Sequence, residues 1–433
     1  MNDVLNSYFK DAVGASAPVI LVVAMPNSIH SLRWIKMVKT SGVRIVLVGV
    51  SFVPADDDAN WFMVRSRSEV DALPAGAVGV FDLHSVDRRE AAQEDLAYGY
   101  DNILPLPFDD GSDLIRPLHI TRAISLIQPN LVHTLEIQLA GYFTLEAKRR
   151  LGAKMPLWLL SNWGSDLYLY HKLKRHRPVI IELMRNIDAY LAECQRDIPL
   201  ARELGFTGRV FDPTPASGGM DFATFPDIES LPQPSKRKLI LVKGYHGWAG
   251  RGMHILSAIH LAADALRGFE IKVLFGTPGM ADMVEAIAAQ DGLDIALAPY
   301  ASTHKAALDR LAGARMVVGM GISDGISTTL LEAMSFGVFP IQGDTSCACE
   351  WVRNGVDAII CGPHDVEGLS RAITRAALDD ALVDAAAPRN RKHVEQNWNV
   401  HVNGPKAYGF YQELLSAHRP TVDVQRNRAE VSS

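Results

Sequence analysis

Asp324 and Glu332 are two acids separated by seven residues, and the hydroxyl side chains of Ser327, Thr328 and Thr329 lie between them. If a helix begins at Ser327, Glu332 shares a face with the two threonines one turn earlier. That face points back towards the loop that carries Asp324. N–H groups at a helix start bind phosphate, and a carboxylate one turn down can bind a diol such as ribose. The pattern therefore indicates a site for a phosphorylated ligand with a diol.

The surrounding residues predict the elements that position these acids. Residues 316–320 are an apolar run, as expected of a buried parallel strand. Ser327 is a suitable N-cap, Gly337 a suitable helix stop, and residues 338–341 begin another strand. A solvated Glu332 on a half-buried helix is the alternative, but the second acid and the hydroxyl cluster favour a site.

The segment SDGISTTLLEAMSFGVFPI resembles the E-x7-E segment of retaining group 1 (family 4) glycosyltransferases of GT-B fold, which usually reads like EGFGLVLLEAMACGLPVI. It departs from that pattern at Asp324, where Glu is usual, and at Ser327, where Gly is usual. The resemblance implies that Asp324 binds sugar hydroxyls and that Glu332 binds the ribose of a nucleotide-sugar donor. It also implies donor contacts from the residues between the acids, which are Gly325, Ile326, Ser327, Thr328 and Thr329.

A second glycine-rich loop, GYHGWAGRG, follows a predicted strand at 238–242. Its glycines, beginning with Gly244, let backbone approach a ligand closely. The loop resembles the VGR…KG loop of the same family, whose two cations touch the donor diphosphate. Arg251 matches the later cation, whereas Tyr245 replaces the earlier one and leaves Lys243 as the substitute. The resemblance implies that Lys243, Gly244 and Arg251 bind the diphosphate and that Arg251 stabilises it as it leaves.

Polar groups also follow two strands of the first half. His133 lies at the end of a predicted strand at 131–135, and Asp166 follows one at 157–160. Ligands of open α/β sheets bind outside the carboxyl ends of the strands. Both segments resemble the family's acceptor-side motifs, so we expect His133 and Asp166 to line a cleft as catalytic residues. A structural role is the alternative for a lone histidine.

The first strand, residues 18–25, is followed by SIHSLRWI and a predicted helix at 32–40. His30, Arg33 and Trp34 resemble an H-x-x-RW pattern near the start of group 1 transferases. An ordinary amphipathic helix start explains these residues equally well.

The chain has 433 residues, which is too long for one ordinary core, so two domains are expected. Hydrophobic residues make up 48% of it, which is ample for the cores of both. We expect the α/β GT-B architecture, in which two Rossmann-like, doubly wound domains face each other across a cleft. The expected parts are an acceptor-side domain at 1–212, a linker at 213–236, a nucleotide-sugar domain at 237–399, a helix at 400–418 that packs back on the first domain, and a disordered tail at 419–433.

Composition argues against several other classes. A net charge of −6 and a pI near 6.2 do not suit a nucleic-acid-coating protein. No G-x-G-x-x-G follows the first strand, which counts against an NAD enzyme. Four cysteines predict a reducing compartment without a disulfide framework, and the lone C-x-C at Cys347 and Cys349 does not indicate a metal site.

Localisation follows from what the sequence lacks. There is no transmembrane-length apolar run and no signal peptide, so we expect a cytoplasmic protein. Residues 168–177 combine aromatic side chains with four Lys and Arg residues and two histidines. They suit either a solvated basic helix or peripheral contact with the inner face of the membrane.

The leading hypothesis is a metal-independent, hexosyltransferase-like enzyme without a cofactor. It would transfer a sugar from a nucleotide sugar to a glycan, lipid-linked or small-molecule acceptor. The second hypothesis is a catalytically silent GT-B protein that binds a nucleotide sugar as a sensor or partner subunit. The departures at Asp324 and Tyr245 motivate it. A sugar phosphorylase or sugar-nucleotide epimerase of GT-B fold is the third.

Overall fold

The structure is a computed structural model of the chain. It describes residues 17–39, 42–52, 60–97, 114–225, 228–277, 279–301 and 303–417. None of the helices within these ranges is long and apolar enough to cross a membrane.

The first domain is built on a parallel sheet of eight strands in the order β3-β4-β2-β1-β5-β6-β7-β8. Its strands are β1 (Val19–Ala24), β2 (Arg44–Gly49), β3 (Trp61–Val64), β4 (Val78–Phe81), β5 (Leu131–Leu135), β6 (Leu157–Ser161), β7 (Ala189–Leu191) and β8 (Arg209–Phe211). Its helices are α1 (Ile29–Val38), α2 (Arg67–Asp71), α3 (Arg88–Ala97), α4 (Pro117–Ile127), α5 (Tyr142–Leu151), α6 (Ser165–Tyr168), α7 (Arg177–Asn186) and α8 (Asp197–Glu203).

The second domain has a parallel sheet of six strands in the order β11-β10-β9-β12-β13-β14. Its strands are β9 (Leu239–Lys243), β10 (Glu270–Leu274), β11 (Asp294–Leu297), β12 (Ala314–Gly319), β13 (Phe339–Gly343) and β14 (Ile359–Cys361). Its helices are α9 (Gly252–Leu261), α10 (Ala263–Leu266), α11 (Met280–Asp291), α12 (His304–Ala312), α13 (Thr328–Ser335), α14 (Val366–Leu378) and α15 (Asp380–Asn397).

Continuous apolar runs become the central strands because helices cover both faces of each sheet. Every residue of β1, β2 and β12 is buried. The predicted strand at 131–135 is confirmed with the same bounds. The sequence also predicts a strand at 209–211, which is confirmed with the same bounds, and one at 102–106, which lies outside the described residues.

The last helix, α16 (Val400–Ala417), lies against α1 of the first domain. Trp34 Nε1 donates to the Tyr411 hydroxyl at 3.0 Å, and both side chains are buried. At the junction before α16, the buried Trp398 donates to Ser217 Oγ at 3.1 Å. The chain therefore crosses from the second domain back to the first over a packed, hydrogen-bonded surface.

Strand order changes direction between β1 and β5 in the first sheet and between β9 and β12 in the second. Crevices form at such switch points, outside the carboxyl ends of the strands. The segments after these four strands should therefore carry the ligand-binding side chains.

Candidate active site

A cavity of about 360 Å³ lies between the two domains, at the carboxyl ends of both sheets. Residues of the first domain that line it are Met25, His30, Glu136, Gln138, Leu139, Trp163, Ser165, Asp166 and Tyr170. Residues of the second are Lys243, Tyr245, Trp248, Ala249, Gly250, Gly319, Met320, Gly321, Ser323, Asp324, Gln342, Gly343, Thr345 and Ser346. The lining comes from the segments that follow the strands on either side of both switch points, together with those at the ends of β6 and β13.

A second cavity, of about 270 Å³, shares several of these residues. Its lining is His30, Trp163, Glu193, Lys243, Phe275, Asp324, Ile326, Ser327, Thr328 and Thr329. Because His30, Trp163, Lys243 and Asp324 line both spaces, the two cavities form one site with two compartments. The smaller compartment lies at the start of α13, and the larger one faces the first domain.

Asp324 lies where the two domains touch. One of its carboxylate oxygens accepts from the N–H of Gly325 at 3.0 Å, and the side chain lines both compartments. Gly164 of the first domain has φ +97° and packs so closely that a Cβ there would overlap the backbone of Gly325. Glycine at both positions therefore lets the loop before Asp166 meet the loop of Asp324.

The start of α13 faces the smaller compartment, which Ile326, Ser327, Thr328 and Thr329 line as the sequence suggested. Ser327 is the N-cap residue, but its side chain makes no capping hydrogen bond. The N–H of Ile326 donates to the carboxylate of Glu193, at 3.1 Å. Gly325 is buried and does not line either compartment, because its N–H is used by Asp324.

Glu332 does not line either compartment. The side chains of Arg33 and His304 hold its carboxylate instead. Its Oε1 accepts from Arg33 Nη2 at 2.8 Å and lies 2.9 Å from His304 Nε2. Burial raises the pKa of this carboxyl, but the hydrogen bond from His304 and the charge of Arg33 outweigh it and lower the pKa overall. Arg33 belongs to the first domain, so this ion pair crosses the cleft.

The two cations at the glycine-rich loop, Lys243 and Arg251, take different positions relative to the compartments. Lys243 ends β9 and lines both compartments. Arg251 lines neither, because its Nη1 donates to the carbonyl oxygens of its own loop, the shortest being Gly250 O at 2.8 Å. Gly244 is also removed from the site, since it is buried and its N–H donates to Leu274 O at 2.7 Å. Neither Arg251 nor Gly244 lines a compartment in this structure, and their contacts with a ligand stay a prediction.

Asp166 lies in the larger compartment together with an acid that the sequence analysis missed, Glu136. Asp166 accepts from the N–H groups of Trp163, at 2.8 Å, and Ile137, at 3.2 Å. Burial, and then the charge of Glu136, raise its pKa well above the usual range. Two buried carboxyls thus face one cavity.

Glu136 directly follows β5 and has φ +85°, a backbone conformation that side chains other than glycine's rarely adopt. Its carboxylate accepts from three N–H groups of the next turn, those of Gln138, Leu139 and Ala140, at 2.6–2.8 Å. Burial nevertheless raises its pKa to about 7. Its place just past a strand end was the available signal, but the strained turn was not evident from the sequence.

His133 lies in the core of the first domain, so the prediction that it lines the cleft is wrong. It is fully buried within β5, and its pKa falls to about 3 because of that burial. Tyr411 Oη is 2.9 Å from its Nδ1, and Ser161 Oγ is 2.8 Å from its Nε2. These contacts make it a structural link between β5, β6 and α16.

Five buried polar atoms of the cleft have no hydrogen-bond partner among the described residues. They are His30 Nδ1, Trp163 Nε1, Ser323 Oγ, Thr328 Oγ1 and Gln342 Nε2, and each belongs to a residue that lines one of the compartments or both. Buried polar groups are normally satisfied. These five atoms could pair with a ligand that offers hydroxyl and other polar groups.

The cysteines also differ from the prediction. Cys194 and Cys347 form a disulfide across 153 residues of sequence, whereas Cys349 and Cys361 are free. The expectation of no disulfide is therefore wrong. Glu350 lies beside the two sulfurs in an arrangement that could hold a metal ion, but here the sulfurs are bonded to each other.

Solved structures similar to the whole chain identify the fold. Sucrose-phosphate synthase from Thermosynechococcus elongatus matches with a TM-score of 0.65 and 13% identity, over 92% of this chain and 100% of that one. HepE from Anabaena, in complex with UDP and glucose, matches with a TM-score of 0.61 and 15% identity, over 92% and 100%. The lipopolysaccharide outer core galactosyltransferase WaaB matches with a TM-score of 0.59 and 10% identity, over 91% and 99%. The chain has the GT-B fold.

A family profile matches the second domain more specifically. Residues 229–393 match the family described as "Glycosyl transferases group 1". This match includes Lys243, the loop of Asp324 and helix α13. Comparison with curated proteins gave no match.

Proposed function

We propose that this chain is a group 1 glycosyltransferase that transfers a sugar from a nucleotide sugar to a hydroxyl group of an acceptor. The cluster of unpartnered polar atoms around the cleft carries the proposal, because nucleotide sugars offer hydroxyl and phosphate groups at matching density. The family match to residues 229–393 supports the reaction class. HepE, described with UDP and glucose, supports the choice of donor.

The donor diphosphate binds in the smaller compartment, between Lys243 and the start of α13. When the sugar departs, negative charge builds on the leaving diphosphate, and preorganised positive groups stabilise it. The ammonium of Lys243, the Thr328 hydroxyl and the N–H groups of the first turn supply this stabilisation. The proposal includes no metal ion, so a chelator such as EDTA should leave turnover unchanged.

The sugar lies beside Asp324, where the compartments join, and the acceptor enters the larger compartment. Glu136 is positioned on the acceptor side, and its pKa of about 7 suits a group that takes a proton from an acceptor hydroxyl. Tyr170 and Trp248, one from each domain, lie edge to face with 6.0 Å between their ring centroids. Both rings line the larger compartment. An aromatic pair of this kind can pack against a sugar ring. Retention of the anomeric configuration belongs to the proposal on the family resemblance.

Acceptors in the proposal are glycans, lipid-linked sugars or small molecules. An exposed turn near Tyr170, which carries Lys172, Leu173, Lys174 and Arg175, combines positive charge with one apolar side chain. We include peripheral contact with an anionic membrane through this turn. Co-sedimentation with vesicles of anionic lipid, compared with vesicles of neutral lipid, tests it.

A silent nucleotide-sugar-binding protein is the second candidate. Two contacts favour it: Glu332 pairs with Arg33, and the guanidinium of Arg251 donates to its own loop. Both contacts keep a predicted ligand-binding side chain, Glu332 or Arg251, out of the compartments. Incubation with a panel of nucleotide sugars, with and without acceptors, separates the candidates. Release of nucleoside diphosphate, with proton NMR of the anomeric signal in the product, supports the enzyme. Tight binding without turnover across the whole panel supports the silent protein.

A further inference from the structure

The disulfide between Cys194 and Cys347 joins the two domains at the edge of the donor compartment. Cys194 follows β7 of the first domain, and Cys347 begins the turn Cys347–Glu350 after β13 of the second. Both are buried, with 1% of each exposed. The bond is therefore a covalent link across the cleft.

Hydrogen bonds beside the disulfide connect the same two segments. The N–H groups of Gln195 and Arg196 donate to the carboxylate of Glu350, at 2.8 and 3.0 Å. The guanidinium of Arg196 donates to Thr345 O at 3.1 Å. Residues 193–196 thus lie against the second domain, and we call them the latch segment.

The latch segment also places a buried carboxyl group in the donor compartment. Glu193 precedes Cys194, and its carboxylate accepts from Ile326 N–H just before α13, at 3.1 Å. Glu193 lines the smaller compartment with Lys243 and Thr328. From the other side of the bond, Cys347 N–H donates to Gly325 O at 3.0 Å. Both cysteines are thus tied to the loop at the start of α13.

We propose that the Cys194–Cys347 pair is a redox latch that controls access of the donor diphosphate to the start of α13. In the oxidised form, the disulfide holds Glu193 against this end of the helix, where its carboxyl oxygen occupies the Ile326 N–H that a phosphate group would otherwise use. In the reduced form, the segment is free to move away and the diphosphate binds. This inference rests on the proposed function, because it assigns the phosphate position to that compartment.

Reduction proceeds by thiol–disulfide exchange with a dithiol. The Sγ–Sγ bond breaks, each sulfur gains one hydrogen, and the dithiol closes into its own disulfide, so two electrons and two protons are transferred. In a compartment that keeps thiols reduced, a pair that joins only under oxidation acts as a switch rather than as a permanent crosslink.

The test compares the full chain in air-oxidised and dithiothreitol-reduced forms. Thiol titration of the denatured protein should show that Cys349 and Cys361 alone react in the oxidised form. Calorimetry with UDP, ADP and GDP as probes should give affinity roughly three- to tenfold tighter after reduction, since the N–H that a competing hydrogen bond occupies is released. Small-angle scattering of the nucleotide-free protein should show expansion on reduction.

Three variants sharpen the comparison. Cys347→Ser should bind nucleotide like the reduced parent in both conditions. Cys349→Ser, which changes an exposed free thiol, should keep the full redox response. Glu193→Ala removes the acceptor that occupies the Ile326 N–H, so the oxidised form should bind nearly as tightly as the reduced form.

Equal affinity of the oxidised and reduced forms overturns the latch, as does complete reactivity of all four thiols after air oxidation. Binding of one equivalent of zinc per chain also overturns the latch, if Cys194 and Cys347 are then unreactive towards thiol reagents without being joined in a disulfide. That result indicates a metal site. Absence of nucleotide binding in both forms contradicts the proposed function instead. In that case small-angle scattering still tests whether the disulfide holds the two domains together. Expansion of the protein on reduction supports the link, and an unchanged scattering profile overturns it.

Discussion

The ion pair between Arg33 and Glu332 gives the sharpest prediction about the donor site. Arg33 Nη2, Glu332 Oε1 and His304 Nε2 meet within 2.7–2.9 Å, and the Arg33 and Glu332 side chains are only 14% and 13% exposed. The carboxylate that the sequence assigns to the ribose is therefore held by a cation of the opposite domain. Nucleotide must displace Arg33 in order to use Glu332 fully.

Substitutions of the two partners should consequently change nucleotide affinity in opposite directions. A hydrogen bond to a charged group contributes about 1.5–3 kcal/mol, or roughly 10- to 150-fold in a dissociation constant. Glu332→Ala removes the ribose contact and should weaken nucleoside diphosphate binding by about ten- to a hundredfold. Arg33→Gln removes the competitor but leaves His304 in place, so binding should tighten by roughly tenfold, the lower end of the range.

Isothermal titration of nucleoside diphosphates against the parent and each variant, all reduced, measures both effects. Asp309→Ala is the control, because it breaks an exposed ion pair with Lys305 on the helix that carries His304 and should leave affinity unchanged. Weaker binding by Arg33→Gln would show that Arg33 assists the nucleotide. Unchanged binding by Glu332→Ala would show that the pair serves domain closure alone.

Three further predictions concern stability and the diphosphate. His133→Ala should lower the free energy of unfolding by about 3 kcal/mol, since it removes a buried ring with two hydrogen bonds; an unchanged urea midpoint, or lost nucleotide affinity at full stability, contradicts this. Burial lowers the pKa values of His30 and His133 to about 4 and 3, so the stability that each contributes is full above pH 6.5 and is lost towards pH 4, whereas the raised pKa values of Glu136 and Asp166 act in the opposite direction. The loss is up to about 1.4 kcal/mol per pH unit for each histidine, so the stability of His30→Ala relative to the parent should rise as the pH is lowered from 7 to 5, and a constant difference between their urea midpoints contradicts this. Lys243→Met should weaken nucleoside diphosphate binding by roughly tenfold, whereas Arg251→Met should change it little. If calorimetry shows a larger loss of affinity for Arg251→Met than for Lys243→Met, Arg251 is the diphosphate ligand.

The central strands were predictable because burial on both faces imposes a continuous apolar run. The strand at 131–135, all of whose residues are buried, shows this directly. Strand β3 was missed, since it is short, lies at the sheet edge and exposes Phe62 and Met63. An edge strand does not need the apolar pattern that marks a central one.

The donor loop was predictable because its parts are close in sequence. Asp324 and Thr328 lie within one strand–loop–helix unit, and local spacing fixes their geometry. His133 was assigned wrongly because strand alternation decides which face a side chain takes, and the partner that claims it, Tyr411, is 278 residues away. The pairing of Cys194 with Cys347 likewise depends on domain closure, about which local sequence carries no signal.

Nucleoside diphosphate release from nucleotide sugars by the parent, Asp324→Ala and Asp324→Glu tests the central claim most directly. The parent should release nucleoside diphosphate from at least one donor. Asp324→Ala should be slower by about 100-fold while binding free nucleoside diphosphate with nearly the parent's affinity, and Asp324→Glu should retain part of the rate. Equal rates for the parent and Asp324→Ala, or no release from any donor that binds, would contradict sugar transfer at this cleft.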